Sequence, residues 1–121
     1  MTYVVLIVED ELLLRMHLAD QFREAGYVVF EAATANHALE FCYDGAPIHV
    51  LITDIQLGTC ASGWELARKF RARWRNVHVV YTSGNAFDGK QAVPDSLFFG
   101  KPYRSTEIVG RCQQFLARGG V

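Results

Sequence analysis

The chain has 121 residues, 50% hydrophobic and 21% charged, a composition typical of one globular domain and not of a disordered or fibrous protein. Its formal net charge of -1, from 12 basic and 13 acidic residues, excludes a domain that binds nucleic acid through a strongly positive surface. No run of about 18 apolar residues occurs, and strand-like sequence begins close to Met1, so we expect a cytoplasmic protein without membrane insertion or a signal peptide.

Five short apolar runs predict five β-strands. The first, Val4–Val8, consists of β-branched residues and leucine, is too short for a helix and is apolar on both faces, as in a central strand of a parallel sheet. The other runs are residues 27–30, 48–52, 77–81 and 97–99.

Helical patterns lie between these runs. In the first pattern, apolar residues recur at Leu14, Leu18, Phe22 and Ala25 and stop at Gly26, a residue suited to the end of a helix. Further helices are predicted over residues 35–43, 64–74 and 105–118. The alternation predicts an α/β fold in which a doubly wound, five-stranded parallel sheet is covered on both faces.

In such folds ligands bind beyond the carboxyl ends of the strands, where the strand order reverses. Glu9 and Asp10 follow the first strand, and Asp54 follows the third. Carboxylates that converge there repel one another unless a cation joins them, and a few oxygen ligands suit Mg²⁺. The alternative is a solvated acidic loop before a helix N-terminus.

The fourth and fifth strands end in a hydroxyl group and a cation, in contrast to the carboxylates that follow the first and third strands. Thr82 supplies a hydroxyl group, and Lys101 supplies a cation next to a proline. Each alone is common in loops. Together with a carboxylate nucleophile and a metal, they are the parts of a phosphoryl-transfer site, where catalysis is mostly positioning and charge stabilisation.

At these positions the sequence resembles the receiver domain of bacterial two-component response regulators, over essentially its whole length. The matching segments are VVLIVEDE at 4–11, LITD at 51–54, VVYTSG at 79–84 and FFGKPY at 98–103. The resemblance implies a flavodoxin-like receiver fold, with residues 1–121 forming one receiver domain that acts in a two-component phosphorelay.

The resemblance also implies roles for single residues. Asp54 accepts a phosphoryl group from a sensor histidine kinase or a histidine phosphotransfer protein. Lys101 pairs with Asp54 or its phosphate, and Thr82 bonds a phosphoryl oxygen. The Mg²⁺ ligands implied are Glu9, Asp10, Asp54 and the backbone carbonyl of Gln56. Such a protein catalyses only its own phosphorylation and dephosphorylation and is not otherwise an enzyme.

In this family the movement of Thr82 is coupled to an aromatic residue three positions before the lysine, here Phe98. Strand alternation places Phe98 on the face opposite residues 97, 99 and 101, as a switch residue requires. The alternative is an ordinary packed aromatic side chain.

The sequence departs from the family pattern in three internal places. Glu9 stands where an aspartate is more common, and its longer side chain still reaches a metal through water. Residues 56–63 lack the usual proline and form a segment one residue longer. Only 19 positions separate Thr82 from Lys101, so we expect a short, irregular or partly absent fourth helix between the fourth and fifth strands.

Because no output domain follows the last predicted helix, a stand-alone receiver is expected, with a receiver fragment of a longer regulator or hybrid kinase as the alternative. A Mg²⁺-dependent phosphohydrolase is less favoured, because such enzymes place an acid/base aspartate where Gln56 stands here. A receiver-shaped adaptor that works without phosphorylation is a third possibility. The downstream target is not predicted, and homodimerisation is left open.

A basic cluster lies near the end of the third predicted helix. Positive charge there complements the helix dipole, which favours a solvated helix end over contact with a phosphate or an acidic partner. The cluster consists of Arg68, Lys69, Arg71, Arg73 and Arg75.

Overall fold

A computed structural model describes residues 2–45, 47–58, 62–85 and 88–119. Within these ranges the chain forms five strands and four helices, in the predicted order and within about two residues of the predicted bounds. The strands are β1 (Val4–Val8), β2 (Val28–Ala32), β3 (Val50–Asp54), β4 (His78–Ser83) and β5 (Leu97–Gly100). The helices are α1 (Leu12–Glu24), α2 (Ala35–Asp44), α3 (Gly63–Arg73) and α4 (Ser105–Ala117).

The strands form one parallel sheet with the order β2-β1-β3-β4-β5, which confirms the predicted fold class. The strand order reverses between β1 and β3, because the chain first adds β2 on one side of β1 and then crosses to β3 on the other side. The crevice beyond the carboxyl ends of β1 and β3 is therefore the expected ligand position for this topology.

Helices cover both faces of the sheet, which explains why β1 is apolar at every position. Leu6 of β1 packs with Phe70 of α3 in one core, which α2 and α3 cover. Ile7, the next residue, packs with Phe22 of α1 and Ile108 of α4 in the other core. We refer to these as the α2–α3 core and the α1–α4 core. Within the described residues, no helix is long and apolar enough to cross a membrane.

The crossover from β4 to β5 contains no helix among its described residues, 84–85 and 88–96, where a short or irregular one is predicted. The chain turns here instead. Gly89 adopts a φ of 77° and Asp95 a φ of 59°, both in the left-handed region that interrupts a helix.

Long-range hydrogen bonds hold this crossover against the α2–α3 core. The Val93 amide donates to the Tyr81 hydroxyl group at 3.0 Å, and both residues are buried. The Arg71 guanidinium donates to the Pro94 carbonyl at 2.7 Å. The aromatic ring of Tyr81 also lies 4.7 Å, centroid to centroid, from the ring of Trp64. The segment is thus fixed by tertiary contacts with β4 and α3.

His78, the first residue of β4, is buried under α4. Its imidazole ring stacks on Phe115 with 3.8 Å between centroids. Neither ring nitrogen makes a hydrogen bond to a described residue. Burial, reinforced by the charges of Arg71 and Arg111, lowers the pKa of His78 to about 4, so the ring is neutral at pH 7.

The buried imidazole makes stability depend on pH. Below its ordinary pKa of 6.5, His78 gains a proton in the unfolded chain but not in the folded chain until the pH reaches about 4. Stability therefore falls as the pH falls through this window. Between pH 7 and pH 5 the wild type should lose about 2 kcal/mol more unfolding free energy than His78→Phe, measured by urea denaturation at each pH. An equal slope in the wild type and in His78→Phe would contradict the prediction.

The Tyr81 hydroxyl should be a measurable part of the anchor for the crossover. Tyr81→Phe keeps the aromatic ring but removes the acceptor of the buried Val93 amide, so we expect a loss of about 1–2 kcal/mol in urea denaturation. Tyr43→Phe removes the same atom from a side chain that is 67% exposed and should change stability little. Equal effects of the two substitutions would show that the hydrogen bond contributes nothing.

Candidate functional site

The carboxyl ends of β1 and β3 bring three acidic side chains together, as the sequence predicts. One carboxylate oxygen from each of Glu9, Asp10 and Asp54 lies within 4.8 Å of the others. Glu9 is 3% exposed and Asp54 is 7% exposed, whereas Asp10 is exposed to solvent. The cluster is therefore partly sunk into the fold and open on one side.

Lys101 connects the two buried carboxylates. Its Nζ lies 2.7 Å from Asp54 Oδ2 and 2.7 Å from Glu9 Oε1. The lysine follows β5, and its backbone amide donates to the Ser83 carbonyl at 2.8 Å, which continues the β4–β5 pairing. This pairing fixes the start of the side chain, and the ammonium group reaches Asp54 across the end of β4.

Burial and neighbouring charges act in opposite directions on the pKa values of Glu9 and Lys101. Burial raises the pKa of Glu9, and the hydrogen bond from Lys101 partly offsets that effect. Burial lowers the pKa of Lys101, but the hydrogen bonds and negative charges of Asp54 and Glu9 outweigh it, so the pKa of Lys101 is raised overall. The ammonium group is therefore protonated throughout the neutral range.

Backbone groups orient Asp54 on its other side. The Gln56 amide donates to Asp54 Oδ1 at 3.0 Å, while the Gln56 side chain is exposed. The Ile55 amide donates to the Thr82 carbonyl at 3.0 Å, which keeps β3 and β4 paired past the end of the strand. Among the described residues, each Asp54 carboxylate oxygen therefore has one donor, the Gln56 amide for Oδ1 and the Lys101 ammonium group for Oδ2.

Thr82 lies directly opposite Asp54 in the β3–β4 register and is buried. Its hydroxyl group makes no hydrogen bond to another residue within the described ranges. On β5, Phe98 packs against the α2–α3 core, while Leu97 and Phe99 pack against the α1–α4 core. The alternation predicted for Phe98 is thus present, and its side chain lies on the face opposite those of its two neighbours.

Arg15 is a supporting residue that the sequence analysis missed. Its Nη1 donates to the Glu9 carbonyl at 2.9 Å, and its Nε donates to Glu31 Oε1 at 3.2 Å. Arg23 adds a second ion pair to Glu31 at 3.1 Å. The α1 helix is thus tied to the segment that carries Glu9. Only the location of Arg15, one turn into the helix after the acidic segment, could have indicated this role.

Gly63, the first residue of α3, was also missed. Its amide donates to the Ile55 carbonyl at 2.8 Å, and a β-carbon at this position would overlap the backbone oxygen of Asp54. Gln56 and Ser62 pair as an isolated antiparallel bridge, which closes the loop between them. Residues 59–61 of the predicted longer loop lie outside the described residues.

The donor set fits a magnesium ion. Carboxylate oxygens are the ligands Mg²⁺ prefers, and it usually binds one or two carboxylates and keeps several waters. The cluster offers the exposed Asp10 together with the buried Glu9 and Asp54, so one side of such an ion would face solvent. Lys101 already contacts the two buried carboxylates, so Asp10 is the member that adds negative charge without a described ion-pair partner.

Comparison with known structures identifies close structural relatives. A response regulator receiver protein from Sinorhizobium medicae WSM419 superposes with a TM-score of 0.90 at 30% sequence identity, over 96% of this chain and 95% of that chain. The receiver domain of the hybrid histidine kinase CckA superposes with a TM-score of 0.79 at 29% identity, over 92% of this chain and 96% of that chain.

Sequence relatives are longer proteins. The aerobic respiration control protein ArcA of Escherichia coli K12 is 35% identical over 94% of this chain, which spans 48% of ArcA. The sensor kinase CckA of Brucella abortus is 28% identical over 94% of this chain, which spans 12% of the kinase.

The family model for the response regulator receiver domain matches residues 5–109, a range that contains the acidic cluster, Thr82 and Lys101. Receiver domains accept phosphoryl groups, bind Mg²⁺ at an acidic cluster and interact with histidine kinases or phosphotransfer proteins. The chain therefore belongs to the response regulator receiver domains, the phosphorylation-based signalling modules of two-component systems.

Proposed function

We propose that Asp54 is the phosphoacceptor of this receiver. The observation that carries the proposal is the position of its carboxylate, held between the Lys101 ammonium group at 2.7 Å and the Gln56 amide at 3.0 Å, beside Glu9 and Asp10. Asp54 is the one member of the acidic cluster that belongs to the central strand β3 and lies opposite Thr82. It is thus in reach of a cation and a hydroxyl group together.

The proposed phosphodonor is a phosphohistidine on a sensor histidine kinase or a histidine phosphotransfer protein. A carboxylate oxygen of Asp54 attacks phosphorus, the phosphorus–nitrogen bond breaks, and the histidine nitrogen keeps the electron pair of that bond. The product is an acyl phosphate on Asp54. Lys101 stabilises the charge on the phosphoryl oxygens, and the Thr82 hydroxyl group donates to one of them.

We also propose the predicted magnesium ligands: the carboxylates of Glu9, Asp10 and Asp54 and the backbone carbonyl of Gln56. When bound, Mg²⁺ would neutralise part of the negative charge that gathers on the carboxylates and the incoming phosphoryl oxygens. The amide of Gln56 already contacts Asp54, which supports this assignment by keeping the residue close to the nucleophile.

Phosphorylation would be read out through Thr82 and Phe98. It replaces one carboxylate charge with about two charges and adds oxygen acceptors beside the Thr82 hydroxyl group. Phe98 packs against the α2–α3 core, so a change at the end of β4 would reach that core and the surface over it. We propose that the partner-binding surface changes in this way. The downstream target that binds it is not predicted.

The same site argues against turnover of external substrates. A phosphohydrolase of this chemistry would need an acid two residues after Asp54, where Gln56 instead presents an exposed amide side chain. We therefore propose that this protein acts only on its own phosphoryl group. We also propose a cytoplasmic location, where ATP-dependent kinases phosphorylate the donor histidine. One receiver domain over residues 1–121 stays a prediction.

Labelling with a small-molecule phosphodonor tests the nucleophile. Incubation with acetyl phosphate and Mg²⁺ should give an acid-stable, base-labile adduct of one phosphoryl group on the wild type, detected by intact-protein mass spectrometry. Asp54→Asn should abolish the adduct, because the amide is no longer a nucleophile. Asp44→Asn, which makes the same change at the exposed end of α2, should label normally. Equal labelling of Asp54→Asn would refute the assignment.

Direct coordination of Mg²⁺ can be distinguished from a general effect of negative charge by comparing substitutions at two neighbouring acidic residues. Asp10→Asn should raise the Mg²⁺ dissociation constant about tenfold or more, because it removes one charged ligand from the cluster. Glu11→Gln removes one charge from the adjacent position, which lies outside the cluster, and should have a much smaller effect. Isothermal titration calorimetry provides both constants; matching values would place the ion elsewhere.

A further inference from the structure

A second concave surface lies at the amino ends of the strands, at the opposite edge of the sheet from Asp54. It is a cleft of about 560 Å³, lined mainly by apolar and aromatic side chains. Its lining residues include Ile48, Trp74, Val77 and Leu116. Its volume falls in the range of roughly 300–1,000 Å³ that is typical of small-molecule sites. Nothing in the phosphoryl-transfer chemistry uses it.

Two arginines give the cleft a positive charge. Arg73 and Arg75 line it, and no acidic side chain does so within the described residues. Among the described residues, neither the Arg73 nor the Arg75 guanidinium group has an ion-pair partner or a side-chain hydrogen bond. The Arg73 guanidinium carbon lies 4.9 Å from the centroid of the Trp74 ring, a stacked arrangement that restricts where the charge can lie.

The histidine His49 also lines the cleft. His49 Nδ1 accepts a hydrogen bond from the Val4 amide at 2.9 Å, and the Tyr3 ring meets the imidazole edge-on with 5.3 Å between centroids. Burial lowers the pKa of His49, which favours the neutral ring. With Nδ1 used as an acceptor, the proton of that ring is on Nε2, which is therefore a hydrogen-bond donor.

We propose that this cleft binds a small organic anion with an apolar body. The anionic group pairs with Arg73 and Arg75, and the apolar body lies on Ile48 and Leu116. Both arginines lack a described acidic partner, so an anion there gains two charged contacts without displacing an existing ion pair.

The five members of the basic cluster around the end of α3 differ in their contacts. Arg71 is engaged in the structure, because its guanidinium donates to the Pro94 carbonyl at 2.7 Å. Arg68 and Lys69 are exposed and do not line the cleft. Arg73 and Arg75 are the two members that line the cleft. If Arg73 and Arg75 bind an anion as proposed, the solvated-helix-end interpretation applies to Arg68 and Lys69.

The test uses 8-anilinonaphthalene-1-sulfonate, a fluorescent aromatic anion, as the probe with the full chain. We expect saturable binding of one molecule, and a dissociation constant at least about tenfold higher for Arg73→Gln/Arg75→Gln, because charge-assisted hydrogen bonds are lost. Arg68→Gln/Lys69→Gln removes the same number of charges from α3 outside the cleft and should bind like the wild type. Equal affinities for the two double variants, or no binding to the wild type, would overturn the proposal.

Two further measurements localise the probe and isolate the role of its charge. N-phenyl-1-naphthylamine has the same ring system without the sulfonate group, and it should bind at least about tenfold more weakly; equal binding contradicts an anion site. In ¹H–¹⁵N spectra the Trp74 indole and the Val77 amide should shift on titration with the sulfonate, and shifts confined to other regions contradict the location. Retained labelling of Asp54 in Arg73→Gln/Arg75→Gln shows that this variant is folded.

Discussion

The ion pairs of Lys101 with Asp54 and Glu9 are the interaction on which the site depends. Two carboxylates buried at the ends of neighbouring strands would each carry a desolvation penalty of several kcal/mol and would repel each other. One ammonium group lies 2.7 Å from both carboxylates, attracts each of them and offsets one of their two negative charges. Its position depends on β5, which is two strands away from β3, so the edge strand must be in register before the acidic cluster is stable.

The same arrangement suits the cluster to a divalent cation. With its carboxylates ionised, the cluster of Glu9, Asp10 and Asp54 carries three negative charges, of which Lys101 compensates one. The remaining charge equals in magnitude that of one Mg²⁺. A phosphoryl group would bring further negative charge to a place where a fixed cation, a hydroxyl group and backbone amides already lie, so little reorganisation would be needed.

Much of the fold and the site could be predicted from the sequence because the relevant signals are local. Val4–Val8 is apolar throughout because it is covered on both faces, and Asp54 and Thr82 lie at strand ends that a parallel sheet must bring to one edge. Arg15 and Gly63 could not be predicted in the same way. The role of Arg15 depends on the distance between α1 and the Glu9 carbonyl, and that of Gly63 on the close approach of α3 to β3. Both are properties of packing between elements, which no pattern within one element reports.

The crossover between β4 and β5, which has no helix among residues 84–85 and 88–96, changes how this part of the molecule can respond to a signal. A helix is held by hydrogen bonds within itself and can fray one turn at a time from either end. Here order comes from contacts with distant residues, Val93 with Tyr81 and Pro94 with Arg71. We expect such a segment to open in a single cooperative step with its own free energy, because its order depends on these shared tertiary contacts. Tyr81 adjoins Thr82 in β4, which puts the anchor of that step next to the end of the strand that faces Asp54.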